Sequence, residues 1–308
     1  MNMYPYIINR QPLKEIFNHL KDQWVIKDKG NLTAYYEKNE AATRDFERQF
    51  IKDFPEIYDE LHIHCSKSEG KIAGSIKQAD PQNPILFFDA MSIREISIFE
   101  QFILPKITEK TKITAYKTSN GYSAIPSATG AFTKRHFDST APSRIRDDSF
   151  EQLIYKDSQE TKIPQGKSYY WSTLPDALFH KTDRQLSMES MVGIWIEESV
   201  KIIQRILEGD IETLTITSDH GYLYKPKAYS WNISDKAVER QIKEIFKNTR
   251  NQPVSKGVSL PKNIVKVDEE NMLLVGRAHP GGTDSSSYMV HGGLSFLECI
   301  TPGIIITK

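Results

Sequence analysis

Leu214-Thr215-Ile216-Thr217-Ser218-Asp219-His220-Gly221 reads as a short buried strand that ends in a carboxylate and an imidazole. Open α/β sheets bind their ligands at the C-terminal edge of the strands, which is where this pair would stand. Adjacent side chains on a regular strand diverge. A turn after the strand can instead splay Asp219 and His220 toward two neighbouring points or bring both to one, and Gly221 permits so tight a turn. Carboxylate and imidazole together suit a borderline ion such as Zn²⁺.

Working outward, the same texture recurs. Ile85-Leu86-Phe87-Phe88 is a continuous apolar run between turn signals, as a buried parallel strand requires. Further strands are expected over residues 112–116, 168–171, 272–275 and 303–307. Helical periodicity marks Leu13, Ile16, Phe17 and Leu20, and then residues 45–61 through Phe46, Phe50, Ile51 and Phe54. Residues 93–104 also read as helix, with Pro105 as its stop. Residues 188–207 carry the clearest amphipathic stripe. Strands alternating with helices predict an α/β fold with a mostly parallel central sheet flanked by helices. A helical N-terminal segment is expected over residues 1–80 and the sheet domain over 81–308. The polar stretch 66–83 reads as a linker, or a loop with a short strand. Residues 226–265, rich in Lys, Asn and Ser, read as an insertion beside the sheet.

The chain has 308 residues, 39% hydrophobic and 26% charged, with 40 basic and 40 acidic side chains. That composition fits a globular protein. A formal net charge of zero gives a nucleic-acid partner no support, and a basic groove over residues 225–265 is the one place that would supply it. The N-terminus lacks a secretory pattern and no apolar run approaches ~20 residues, so no membrane span is expected. Cys65 and Cys299 show no CxxC spacing. They indicate neither a disulfide framework nor a thiolate metal site, and favour a reducing, cytoplasmic setting.

Chemistry-bearing residues follow the expected strands in series. Asp89 follows Phe88, Asp176 and His180 follow the strand at 168–171, Asp219-His220 follow Thr217, and His291-Gly292-Gly293 lie near the C-terminus. Asp176 and His180 are four residues apart, a spacing that stacks both on one helix face. Ser127 and Thr129 precede a helix running through Phe132, where free backbone N–H groups favour an oxyanion. Taken singly, each has a structural reading. Asp89, Asp176, Ser127 and Thr129 are good caps, His180 suits a surface or core position, and His291-Gly292-Gly293 suits a turn. Independent caps would not be expected to fall in the order Asp, Thr, Asp-x3-His, Asp-His, His.

At these residues the chain resembles the PglZ-domain proteins of the alkaline phosphatase superfamily. The resemblance rests on Phe88-Asp89-Ala90-Met91-Ser92-Ile93-Arg94-Glu95, Pro126-Ser127-Ala128-Thr129, Ser218-Asp219-His220-Gly221, and His291-Gly292-Gly293-Leu294-Ser295 with Glu298 downstream. It covers residues 80–308 and implies an alkaline-phosphatase-like core, in a compact PglZ domain without large extra modules. It further implies a hydrolase of phosphate esters, a phosphodiesterase or phosphatase, that uses two divalent ions. Zn²⁺ is the first choice, with Mn²⁺ or Mg²⁺ as alternatives. Asp89, Thr129, Asp219 and His220 would hold one ion, and Asp176, His180 and His291 the other. Thr129 would be the nucleophile, with Ser127 as the alternative. Arg277 is the first choice for steadying the phosphate, ahead of Arg94 and Lys225, and His279 is read as a loop residue. The implied setting is bacterial anti-phage defence of the BREX type, with protein partners from such a system. The competing reading is a metal-binding scaffold that docks those partners.

Overall fold

The computed structural model describes residues 10–28, 30–67, 71–156, 162–179, 186–224, 226–231, 233–247, 249–255, 260–279 and 289–308. In chain order its helices are α1 (Pro12–Gln23), α2 (Leu32–Asp53), α3 (Ile57–Lys67), α4 (Lys71–Gln78), α5 (Arg94–Ile98), α6 (Leu104–Thr108), α7 (Thr129–Phe137), α8 (Asp176–Phe179), α9 (Met188–Leu207), α10 (Pro226–Tyr229), α11 (Lys236–Phe246) and α12 (Phe296–Cys299). Its strands are β1 (Ile85–Phe88), β2 (Ala115–Tyr122), β3 (Phe150–Leu153), β4 (Tyr169–Ser172), β5 (Thr213–Thr217), β6 (Leu223–Tyr224), β7 (Asn251–Pro253), β8 (Val265–Val267), β9 (Asn271–Leu274), β10 (Met289–Val290) and β11 (Ile300–Thr307).

The main sheet has six strands in the order β2-β11-β5-β1-β4-β3. The β5-β1-β4-β3 half is parallel throughout, and β11 runs antiparallel to both β5 and β2. The architecture is therefore α/β with a mostly parallel sheet, as the alternating pattern predicts. Strand β1 shows why it sits at the centre. Its period of two sends Leu86 and Phe88 into the larger core and Ile85 and Phe87 into a second core on the opposite face. Both faces are covered, so the strand must be apolar at every position.

Helices α1 to α3 join that larger core directly, while α4 packs into the second core through Ile72 and Ile76. Ile16, Phe17, Leu20, Phe46 and Phe50 pack in one cluster with Leu86, Phe88, Ile216 and Ile304. An ionic ladder crosses the same junction. Glu40 and Glu47 on α2 are fully buried on its apolar stripe. Glu40 accepts from Arg94 and from Arg277 at 2.7 Å, and Glu47 accepts from Arg277 at 2.7 Å and from the Phe296 N–H at 2.8 Å. Removing one partner of a buried pair leaves a charge without compensation. Glu40→Gln is expected to cost ~3–5 kcal/mol, read as a lowered urea midpoint at unchanged m-value.

Several elements differ from the sequence reading for identifiable reasons. The strand expected at 112–116 runs instead from Ala115 to Tyr122. It is an edge strand, so its outward positions are polar and weaken the apolar signal. Strand β3, also at an edge, carries only two apolar residues and gives no such signal. Residues 271–274 form a strand, but in a separate three-stranded sheet ordered β7-β9-β8, packed on Ile242 and Phe246 of α11. The insertion at 226–265 is thus a small sheet-and-helix unit. The stretch read as a linker contains α4, whose Ile72 and Ile76 are buried one turn apart. Pro105 does not stop the helix at 93–104. A π-turn spans Phe99–Ile103, and Pro105 lies in the first turn of α6, where a missing N–H costs nothing.

Candidate metal centre

Strand register brings the predicted series to one edge of the sheet. Phe88 pairs with Ser172, Phe87 with Thr217, and Ile300 at the start of β11 with Tyr122 at the end of β2. The segments carrying Asp89, Asp176, Asp219-His220, Thr129 and His291 all leave or enter the sheet there.

At the end of β1 the chain turns through Ala90, which holds a left-handed φ of 61°. The turn aims the Ala90 N–H at Asp219 Oδ1, 3.2 Å away. At the end of β5, Gly221 has its N–H on the Glu298 carbonyl at 2.9 Å, and a Cβ there would stand 2.0 Å from the Leu297 carbonyl oxygen. Only glycine lets the chain pass α12 this closely. The His220 ring is fixed by its Nδ1, 2.9 Å from the Gly221 carbonyl. A carbonyl only accepts, so Nδ1 carries a proton and Nε2 faces the cluster. Thr129 opens α7, whose N-cap residue Ala128 supplies no side-chain cap.

Four atoms converge. Thr129 Oγ1 lies 2.7 Å from Asp219 Oδ2, 3.2 Å from Asp89 Oδ1 and 3.2 Å from His220 Nε2. His220 Nε2 lies 3.4 Å from the same Asp219 oxygen and 3.8 Å from the same Asp89 oxygen. Asp219 and His220 are fully buried, and the Asp89 side chain is 14% exposed. Burial, then the carboxylates of Asp219 and Asp176, push the Asp89 carboxyl well above its usual range, against donors from Trp171 and Thr129. An arrangement that crowds carboxylates about one buried point is one a cation would relieve.

No family model and no curated protein matches this chain.

The other expected site residues fall into distinct groups. Asp176 opens α8, and its N–H donates to the Asp89 carbonyl at 3.2 Å. The His291 ring stacks on His220 with centroids 4.2 Å apart. Both therefore flank the four-atom cluster. Among the described residues, the three that can share one ion are Asp89, Asp219 and His220. His180 and Lys225 lie outside the described residues. Ser127 is fully buried and spent on the backbone: its hydroxyl donates to the Gly293 carbonyl at 2.8 Å and accepts from the Gly292 N–H at 3.1 Å. It ties the Thr129 turn to the His291 loop, and the hydroxyl within the carboxylate cluster is that of Thr129.

The expectation for Arg277 needs correction. Its guanidinium is 1% exposed and is held by Glu40 and Glu47, so it serves the buried ladder rather than an open phosphate pocket. Arg94 is likewise enclosed, between Glu40, Ser92 Oγ and the Tyr222 carbonyl. His279, read as a loop residue, is largely buried, and burial with the nearby Arg250 lowers its pKa to about 4. Missed from the sequence were Glu40, Glu47 and Arg250. The signal for the first two was present: Tyr36, Glu40, Thr43, Glu47 and Phe50 share one helical stripe. Arg250 donates to both oxygens of Glu298, which in turn accepts from the Gly293 N–H at 2.9 Å. No sequence spacing links it to that loop.

Proposed function

We propose that the protein is a metal-dependent hydrolase of phosphate esters, with Asp89, Thr129, Asp219 and His220 holding a divalent ion and Thr129 as nucleophile. The observation that carries this reading is the spacing of the four donor atoms. Ligands ~2.1 Å from a tetrahedral ion lie ~3.4 Å apart, and five of the six separations here run from 2.7 to 3.8 Å. The donor set of two carboxylates, a hydroxyl and an imidazole fits a borderline ion, Zn²⁺ before Mn²⁺ or Mg²⁺. Asp176 and His291 flank this point, and the second ion that the resemblance implies would be held by them.

A bound divalent ion supplies charge stabilisation at phosphorus and lowers the pKa of a ligating hydroxyl. The chain's own groups supply the rest. Asp219 Oδ2, 2.7 Å from Thr129 Oγ1, orients that oxygen, whose proton passes to solvent. The Thr129 and Gly130 N–H groups open α7, ahead of the Ala131 and Phe132 N–H groups that donate to the Ala128 carbonyl, and would serve the oxygens of a phosphoryl group on Thr129. The new Oγ1–P bond forms as the bond from phosphorus to the departing alkoxide breaks, and water then cleaves the phosphothreonine.

The commitment of both Arg94 and Arg277 to Glu40 favours, as the second reading, a metal-binding scaffold of low turnover. For either, the setting proposed is bacterial anti-phage defence with protein partners. Among the described residues no helix is long and apolar enough to cross a membrane. The discriminating experiment is metal analysis of the purified protein, followed by hydrolysis of bis(p-nitrophenyl) phosphate with and without chelator. Chelator-sensitive turnover supports the hydrolase. Bound zinc without turnover supports the scaffold, and absence of any bound or titratable divalent metal removes both.

A further inference from the structure

The two loops that carry Asp89 and His220 also meet away from the cluster. A Cβ on Gly221 would lie 3.0 Å from the Ser92 Cβ. Ser92 is three residues beyond Asp89 and Gly221 is next to His220, so the distance between these loops sets the distance between the donors. A buried Arg94-Glu95 pair staples them. Glu95 Oε2 accepts from the Ser92 N–H at 2.6 Å and the Ser92 hydroxyl at 2.7 Å. Glu95 Oε1 accepts from the Tyr222 hydroxyl at 2.8 Å and the Tyr36 hydroxyl at 2.9 Å. Arg94 Nη1 repeats the link, donating to Ser92 Oγ at 3.0 Å and to the Tyr222 carbonyl at 2.8 Å, with its guanidinium 4.4 Å above the Tyr222 ring.

We propose that Glu95 and Tyr222 are positioning residues for the metal centre. Their carboxylate–hydroxyl bond holds the Asp89 loop and the His220 loop at the separation a single ion requires. Neither side chain touches the ion. Fixing donors in advance leaves less ordering to be done on binding, which is how outer-layer hydrogen bonds raise metal affinity. The Tyr36 hydroxyl supplies the internal control. It donates to the same Glu95 oxygen from an equally buried position, but it comes from α2 and joins neither ligand-bearing loop to the other.

This proposal rests on the metal-site reading, and its test separates the two. Zinc affinity of the full chain is measured by competition with a chromogenic chelator for wild type, Tyr222→Phe and Tyr36→Phe, alongside thermal unfolding of each apo-protein. Both variants lose one hydroxyl to one acceptor and should lose similar thermal stability. Tyr222→Phe is expected to bind zinc ~10-fold more weakly, while Tyr36→Phe binds as wild type does. Equal affinity in all three, or equal weakening in both variants, overturns the positioning role and leaves the metal site standing. A wild type that binds no zinc overturns both. If Tyr222→Phe fails to fold, Ser92→Ala loosens the same brace from the Asp89 side, removing the hydroxyl that holds Glu95 Oε2 and leaving the backbone N–H, and is expected to weaken zinc binding in the same direction. Wild-type affinity in Ser92→Ala would also overturn the role.

Discussion

Thr129→Ala should lower phosphodiester turnover by ~10³-fold or more while leaving the fold intact. The Thr129 side chain is only half-buried, and its loss leaves no cavity in the core. Its hydroxyl contacts Asp89, Asp219 and His220, so what disappears is the proposed nucleophile. Zinc should still bind, with reduced affinity, through the two carboxylates and the imidazole. Ser127→Ala makes a useful contrast. It removes a fully buried hydroxyl with two backbone partners, at a cost of ~1–3 kcal/mol in stability, and leaves Thr129 in place. Turnover lost in Ser127→Ala but retained in Thr129→Ala would reverse the assignment of the nucleophile.

The second large effect is a change of sign at Asp89. Its carboxyl is pushed well above the usual range by burial and by the nearby charges of Asp219 and Asp176. A carboxyl with a raised folded-state pKa favours folding below its unfolded value of ~3.9 and opposes it as pH climbs through the folded value. The contribution of Asp89 to apo-protein stability should therefore fall as pH rises above ~4. Asp89→Asn removes that penalty and should hold the apo-protein's stability flatter with pH. The same substitution deletes an anionic ligand and should weaken zinc binding by more than ~100-fold. Zinc at ~100 times its dissociation constant stabilises wild type by ~2.7 kcal/mol and should stabilise Asp89→Asn little. Thermal unfolding across pH, with and without zinc, reads both parts. An apo Asp89→Asn protein less stable than wild type at neutral pH would show that the carboxylates are not in conflict.

The parts of this picture legible in the sequence are those with short-range causes. Strands β1 and β5 are apolar at consecutive positions because both faces of the sheet are covered, and that alone marks them. Asp89 and Asp219-His220 follow those strands directly, so the sheet edge they share can be read from order along the chain. Edge strands β2 and β3 are hidden because half their surface meets solvent. Strand β9 is visible as a strand, but its partners β7 and β8 are set by long-range pairing, and so its placement outside the main sheet is not. Arg94 and Arg277 look free in the sequence because their partners, Glu40 and Glu47, lie at least 54 positions upstream on α2. A cation near a predicted site is judged by what else reaches it, and only the folded chain shows that.

The central claim is that four donors from three separate loops meet at one ion. The most direct measurement is a crystal structure of the zinc-loaded protein with anomalous diffraction recorded at the zinc edge. A peak within ~2.0–2.2 Å of Thr129 Oγ1, Asp89 Oδ1, Asp219 Oδ2 and His220 Nε2 is expected. A peak bound elsewhere, or Asp89 and His220 turned away from one another with zinc in excess, would contradict it.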